Sequence, residues 1–218
     1  RDAATGYPVR TALSVLAMAI GVAAVVLLTA LGDGARRYVV GQFSSLGTNL
    51  VIVLPGRSGT GGFNPANAIT STPRDLTIDD AANLRRLPHV RRVAPLAVGT
   101  SEMAFGGKLR EVIVAGSTAE FIPIRNFELT QGKALPEEDW NHGSSVAIIG
   151  AKLREELFGA TPALGQLIRV GDRRLRVIGV LKATGQGLGM NTDELVIVPV
   201  ALAQAMFNSN TLFRIMLE

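Results

Sequence analysis

Thr11 to Gly32 runs for 22 residues without a charged side chain, and no other feature constrains the chain as much. A bilayer's hydrocarbon core is about 30 Å thick, so a helix rising 1.5 Å per residue needs about 20 apolar residues to cross it. The centre of the run, LSVLAMAIGVAAVVLLTAL (Leu13 to Leu31), carries ten Leu, Ile or Val residues. At roughly −0.3 to −0.6 kcal/mol each, they favour insertion by about −3 to −6 kcal/mol, with no Asp, Lys or Arg opposing them. The run reads as a membrane span over about residues 11–32, in which Leu13, Leu16, Ala17, Ile20, Gly21, Val25, Leu28 and Leu31 meet the lipid bilayer or another helix. Two other readings fit the length less well. The apolar part of a cleaved signal covers about 7–15 residues and ends at a small-residue cleavage site, whereas here GDGARRYVVGQF continues the helical pattern. A buried core helix is usually shorter.

Setting aside the first 46 residues leaves 172, enough to bury a core. The formal charge is +4, of which the 180 residues after Tyr38 carry +2. A nucleic-acid-binding surface needs a concentrated basic face, so no nucleic-acid partner is expected. Cysteine is absent, which excludes disulfides and thiolate metal sites. Arg1 and Arg10 precede the span while Arg36 and Arg37 follow it, so the count of flanking positive charges assigns no orientation. The chain opens on Arg1 and closes on the strand-like LFRIMLE, and is read as a piece of a longer protein.

Beyond the span, Leu31, Ala35, Tyr38, Val39 and Phe43 keep helical spacing. A helix from about Val9 to Leu46 would be roughly 55 Å long and would project from the bilayer as a stalk. An amphipathic helix lying on the membrane surface is the alternative. Gly32, Gly34 and Gly41 each weaken such a helix by about 1 kcal/mol relative to Ala. Gly32 and Gly34 fall at the membrane boundary and form a candidate hinge. Gly47 supplies a stop.

The remainder reads as α+β. Asn49 to Leu54 is an apolar run expected as a buried strand before Pro55-Gly56. Thr77 and Asp80 make a capping box opening a helix to about Leu87. Val90 to Ala104 and Leu109 to Ala115 are strands joined at Gly106-Gly107, and Gln166 to Val170 and Arg174 to Leu181 are strands joined at Gly171-Asp172. Between these hairpins lie a strand at Val146–Ile149 and a helix at Ala151–Phe158 closed by Gly159. A β-α-β run ends the chain: strand Glu194–Val198, helix Val200–Phe207, strand Thr211–Leu217. Those last elements are expected to complete the sheet begun by residues 47–120, with residues 121–190 inserted between the two parts.

Few residues invite a chemical reading. Gly56 to Gly62 lacks the Lys of a phosphate-binding G-x-x-x-x-G-K-[ST] loop, and GQGLG (Gly185 to Gly189) lacks dinucleotide spacing. His89 and His142, 53 positions apart, offer no zinc spacing and read as exposed loop residues. Asp79 and Asp80 suit the first turn of a helix, and Glu137-Glu138-Asp139 reads as a solvated loop. Arg85-Arg86, Arg91-Arg92 and Arg173-Arg174-x-Arg176 read as solvated faces, or as a docking surface for an acidic partner or anionic headgroups. Ala17-x-x-x-Gly21 and Ala19-x-x-x-Ala23 let a second helix approach the span.

Taken in order, these pieces resemble a known family. Arg10 to Gly56, with its span, stalk and SLGTN link, is similar to the start of MacB-type ABC transporter permeases. The similarity continues through LTIDDAANLRRLPHVRRVAPL (Leu76 to Leu96), AGST (Ala115 to Thr118), VAIIGAKLREELFG (Val146 to Gly159), LGQLIRVGDRRLRVIGVL (Leu164 to Leu181) and DELVIVPVALA (Asp193 to Ala203). The resemblance implies a bacterial inner-membrane protein whose folded part lies in the periplasm. That part would have a Porter-like subdomain (47–120 and 191–218) with a mostly-β Sabre-like insert (121–190). It also implies a second permease copy, an ABC ATPase binding ATP and Mg outside this sequence, a periplasmic adaptor and an outer-membrane channel as partners, and FtsX-type helices beyond Glu218. No catalytic, cofactor or metal site is implied in the chain itself. The implied role is mechanical, coupling ATP hydrolysis to extrusion. A lipoprotein-releasing or FtsX-like permease, binding a chaperone or activating a cell-wall hydrolase, is the nearest alternative. A membrane-anchored hydrolase is the alternative of another class.

Overall fold

The computed structural model describes residues 8–44, 50–55, 75–183 and 191–218. The chain divides into two compact units, Arg1–Ser44 and Ser45–Glu218.

The first unit is one helix, α1 (Pro8–Ser44, 37 residues). It runs unbroken through Gly21, Gly32, Gly34 and Gly41. Residues 11–36 are exposed along their whole length, and Thr11–Arg36 is the one helix among the described residues long and apolar enough to cross a membrane. Its polar Thr29 is accommodated internally, donating its hydroxyl to the carbonyls of Val25 and Val26, each at 3.0 Å. The expected helix end at Leu46 and the stop at Gly47 lie outside the described residues, as do the glycine loops at 56–62 and 185–189.

The second unit is built on a nine-stranded mixed sheet. Its elements in chain order are β1 (Val51–Val53), α2 (Ile78–Leu84), β2 (Val93–Phe105), β3 (Lys108–Ser117), the single turn α3 (Phe121–Ile124), β4 (Leu129–Gly132) and β5 (Val146–Ile149). There follow α4 (Ala151–Leu153, continuing as a π-turn over Arg154–Phe158), β6 (Leu167–Val170), β7 (Arg173–Leu181), a 3₁₀ turn (Thr192–Glu194), β8 (Leu195–Pro199), α5 (Val200–Phe207) and β9 (Arg214–Leu217). The main path is β1-β9-β2-β3-β8-β5-β7-β4, and β6 pairs with both β7 and β2.

That last pairing closes a ring. Strand β2 takes β3 along one side, from Ala97↔Gly116 to Phe105↔Lys108. Its other side takes β9 at the start (Val93↔Leu217) and β6 at the end (Met103↔Val170). Six strands, β2-β3-β8-β5-β7-β6, thus come back to β2. Alternate residues of each strand share one core: Met103, Val112 and Val114, Ala147 and Ile149, Ile168 and Val170, Leu175 and Val177, Val196 and Val198. On β6 the opposite face is exposed at Leu167 and Arg169, which identifies the shared core as the inside of the ring. Leu153, Leu157 and Phe158, together with Leu202 and Ala203 of α5, belong to the same cluster. A second cluster covers the outer face around β8, where Ala94, Leu96, Ile148, Leu195 and Ile197 meet Phe121 and Ile124 of α3. All five residues of β8 are buried because both of its faces are covered.

Local signals and structure agree at several points. Gly106 and Gly107 have φ of +57° and +80°, the doubly positive turn that suits a tight hairpin. The Thr77 hydroxyl accepts from Asp80 N while the Thr77 amide donates to the Asp80 carboxylate at 2.9 Å. Helix α5 has the expected bounds. Other points differ, among them the starts of β2 at Val93 instead of Val90 and of β9 at Arg214 instead of Thr211. The run expected as a buried strand at Asn49–Leu54 is the three-residue edge strand β1, with Val51 57% and Ile52 40% exposed, because it pairs with β9 alone at the sheet margin. Helix α2 stops at Leu84 instead of Leu87, followed by turns. Residues 121–132, given no elements by pattern, hold α3 and β4. Strands β4 to β7, all from the 121–190 segment, lie in the same sheet as those from the segments on either side.

Candidate functional site

Strands β3 and β8 run parallel with Ser117 opposite Pro199, and from there the chain leaves toward opposite faces. Residues after Ser117 lead to α3 and the outer cluster, while Pro199 leads straight into α5 and the inner one. Divergence at the carboxyl ends of neighbouring parallel strands opens a crevice there. Here it is a cavity of about 140 Å³, lined by Ser117, Thr118, Glu120, the 135–140 segment, His142, Pro199 and Arg85. The structure thus gathers His142 and the Glu137–Asp139 run, read separately as solvated loop residues, at one cleft. His142, Glu137 and Asp139 do remain exposed.

Most polar groups in the cleft hold the fold. Ser117 donates its hydroxyl to the Pro95 carbonyl at 2.7 Å and is buried. Glu120 accepts from the Val93 amide at 2.7 Å, tying the start of β2 to the segment before α3. Glu138 accepts from the amide and hydroxyl of Ser144, and Asp139 from the amide and side chain of Asn141. The Arg85 guanidinium lies 5.1 Å from the centre of the Trp140 ring. A nucleophile needs a base within hydrogen-bond reach, and the Ser117 hydroxyl is committed to a carbonyl. Among the described residues, no group of three or more His, Asp or Glu side chains is placed to hold a metal ion.

Two charge clusters lie elsewhere. On one side, Lys152 of α4 bonds Glu194, Arg110 of β3 pairs with Glu194 at 2.8 Å, and Arg110 also pairs with Glu156. The hydrogen bond from Lys152 and the nearby Arg110 hold the Glu194 carboxyl below its ordinary range. On the outer face, Arg125 caps α3 and Arg214 begins β9 opposite Leu96. Both are half-buried. Burial lowers the pKa of each, and for Arg214 the charge of Arg125 lowers it further. Neither has a carboxylate partner among the described residues, and Arg214 Nε is buried without a hydrogen bond. Pattern reading passed over both residues, although each is a lone Arg in an apolar run, FIPIRNF and TLFRIML.

The expected span residues Leu13, Leu16, Ala17, Ile20, Gly21, Val25, Leu28 and Leu31 all lie on α1, exposed. Gly32 and Gly34 are inside that helix, and a Cβ added at either would meet nothing within 4 Å.

Comparison with known proteins places these features. The profile of the family described as MacB-like periplasmic core domain matches residues 11–218. The macrolide export ATP-binding/permease protein MacB 1/2 of Paracoccus denitrificans is 34% identical over 205 residues, covering 94% of this chain and 30% of that protein. The pyoverdine export ATP-binding/permease protein PvdT of Pseudomonas entomophila is 34% identical over 197 residues, covering 89% of this chain and 29% of that protein. The chain therefore spans under a third of the length of these relatives. Among solved structures, the periplasmic region of MacB from Actinobacillus actinomycetemcomitans matches with a TM-score of 0.66 at 20% identity, over 80% of this chain and 76% of that one. The extracellular domain of the ABC-type transporter YknZ from Gram-positive bacteria matches with a TM-score of 0.62 at 22% identity, over 78% of this chain and 83% of that one.

Proposed function

The chain belongs to the MacB-like periplasmic core domain family, and from that premise we propose that it is the mechanical relay of an ABC exporter and performs no chemistry of its own. In this reading α1 crosses the inner membrane over about residues 11–32. The folded unit then stands in the periplasm and works with a second permease copy, an ATPase, an adaptor and an outer-membrane channel. The observation that carries the reading is α1 itself, a single helix of 37 residues running through the apolar segment and on to Ser44. A helix keeps its hydrogen bonds internal, so it passes an axial displacement along its length. Chain order supports dividing the folded part into a Porter-like portion and a Sabre-like insert, since β8, α5 and β9 return to β3 and β2 after residues 121–190. Gly32 and Gly34 are the proposed hinge.

The complete transporter tests the relay. A flexible Gly-Ser insert placed within positions 45–49 should abolish export while leaving ATP hydrolysis in place, because such a linker transmits no force. Export at the unmodified rate would overturn the relay. Capture of a lipoprotein chaperone or a cell-wall hydrolase by the periplasmic part, in place of an adaptor, would move the protein to the neighbouring permease class.

A further inference from the structure

We propose that Arg125 and Arg214 form a recognition site for a dianionic phosphate group on the outer face of the sheet, independent of the export reading.

The two residues are brought together by the fold from 89 positions apart. Arg214 faces the outer cluster because it alternates with Ile215 and lies beside Met216, which shares that cluster with Leu96 and the α3 residues. Arg125 closes α3 on the same face. Both guanidinium groups are half-buried, so each has given up part of its hydration. A partly desolvated ion is costly unless it is paired, and here two such charges sit on the same outer face, one at the end of α3 and one on β9, elements that pack against each other.

Ordinary packing accounts for only part of this arrangement. Long side chains do cover apolar surface with their stems while the charged head stays wet. Arg214 Nε, however, is a buried donor with no acceptor among the described residues, and covering apolar surface does not by itself explain such a group. The aromatic contacts point the same way. Arg125 lies 5.4 Å from the centre of the Phe127 ring and Arg214 lies 5.3 Å from that of Phe213. Contact with a ring restrains a guanidinium without using its terminal N–H donors, which stay available for oxyanion oxygens. Two fixed positive charges match a phosphate monoester or inorganic phosphate near neutral pH better than one carboxylate.

The test uses the full chain in detergent micelles with ¹⁵N-labelled arginine, titrated with inorganic phosphate at pH 8 and ionic strength held constant with chloride. The Nε–H resonance of Arg214, assigned by its loss in Arg214→Lys, should shift saturably, and Arg125→Gln should weaken that binding at least tenfold. Thermal unfolding gives a second reading: phosphate should raise the midpoint of the native chain and not that of Arg214→Gln. A parallel titration with a soluble short-chain phosphatidic acid identifies the source, since the lipid saturates at lower concentration if a headgroup is the natural ligand. The proposal is overturned if the Arg214 signal shifts only linearly, as exposed arginines such as Arg173 do, or if Arg125→Gln binds phosphate unchanged.

Discussion

Gly116 of β3 lies directly beneath Ala203 of α5, so close that a Cβ added to Gly116 would stand 2.2 Å from the Ala203 Cβ. A helix can rest this near a strand only where the strand carries no side chain. Gly99 does the same on β2, where a Cβ would meet the Phe207 ring at 2.4 Å. These two glycines set how deeply α5 seats against the β2–β3 hairpin.

Gly116→Ala should therefore destabilise the folded unit by about 1–3 kcal/mol through overpacking. Urea unfolding followed by tryptophan fluorescence reads the change, since Trp140 is the only tryptophan. Ala203→Gly added to Gly116→Ala should recover part of the loss by removing the opposing methyl. A double variant no more stable than Gly116→Ala would show that α5 sits where it does for another reason.

Thr77→Ala should cost about 1 kcal/mol, within the usual 0.5–2 kcal/mol range for removing an N-cap side chain. It removes the acceptor for Asp80 N and leaves the Asp80 carboxylate bonded to residue 77 through the backbone amide alone. Thr77→Ser keeps the hydroxyl and should be close to neutral. The same unfolding assay distinguishes the two.

Glu194 supplies a pH-dependent term. Lys152, through its hydrogen bond, and Arg110 hold this carboxyl below its ordinary range in the folded chain. A depressed folded pKa means that the stabilisation is fully present above the unfolded glutamate value, about 4.3. It fades as pH falls through the lower folded value. Thermal midpoints of the native chain and of Glu194→Gln should therefore differ at pH 7 and converge in strong acid. Glu128, lowered by its hydrogen bond with Lys182, should behave alike. Equal separation of the two curves at every pH would sink this assignment. Glu128 is exposed and Glu194 partly so, and about 1 M salt should therefore shrink the effect, more at Glu128 than at Glu194.

Gly32→Ala combined with Gly34→Ala should stiffen α1, each substitution gaining about 1 kcal/mol in helix propensity without a clash. If these glycines act as the hinge, the complete transporter should keep its ATPase rate and export more slowly. Unchanged export per ATP hydrolysed would dismiss the hinge and leave the helix as a plain rod.

Much of the architecture was legible in local chemistry. The Gly106-Gly107 and Gly171-Asp172 turns, the Thr77 cap and the apolar run of α1 each announce themselves through a few adjacent residues. What stayed hidden depends on partners distant in sequence. Val51 and Ile52 have the composition of a buried strand, and only their place at the margin beside β9 leaves them exposed. The short pairing of Met103 with Val170 has no local signature at all. At the cleft, His142 and Glu137 could be named from the sequence, but their nearness to Ser117 follows from the parallel pairing of β3 with β8 and the divergence of the chain beyond it. Arg125 and Arg214 were visible as lone charges in apolar runs, yet their pairing is a property of the outer face.

The closing pair between β2 and β6 decides how the folded unit answers a pull. An open sheet yields at its free margin, one strand unzipping after another at small cost. In this fold the six central strands have no such starting point. A tug on β1 or β9 can strip those two away, but opening the ring has to begin inside it, by breaking an already paired ladder, the shortest being the two-residue seam of Met103 and Ala104 with Val170 and Arg169. A load too small to break that seam should leave the six strands of the ring in register and move them together as one body.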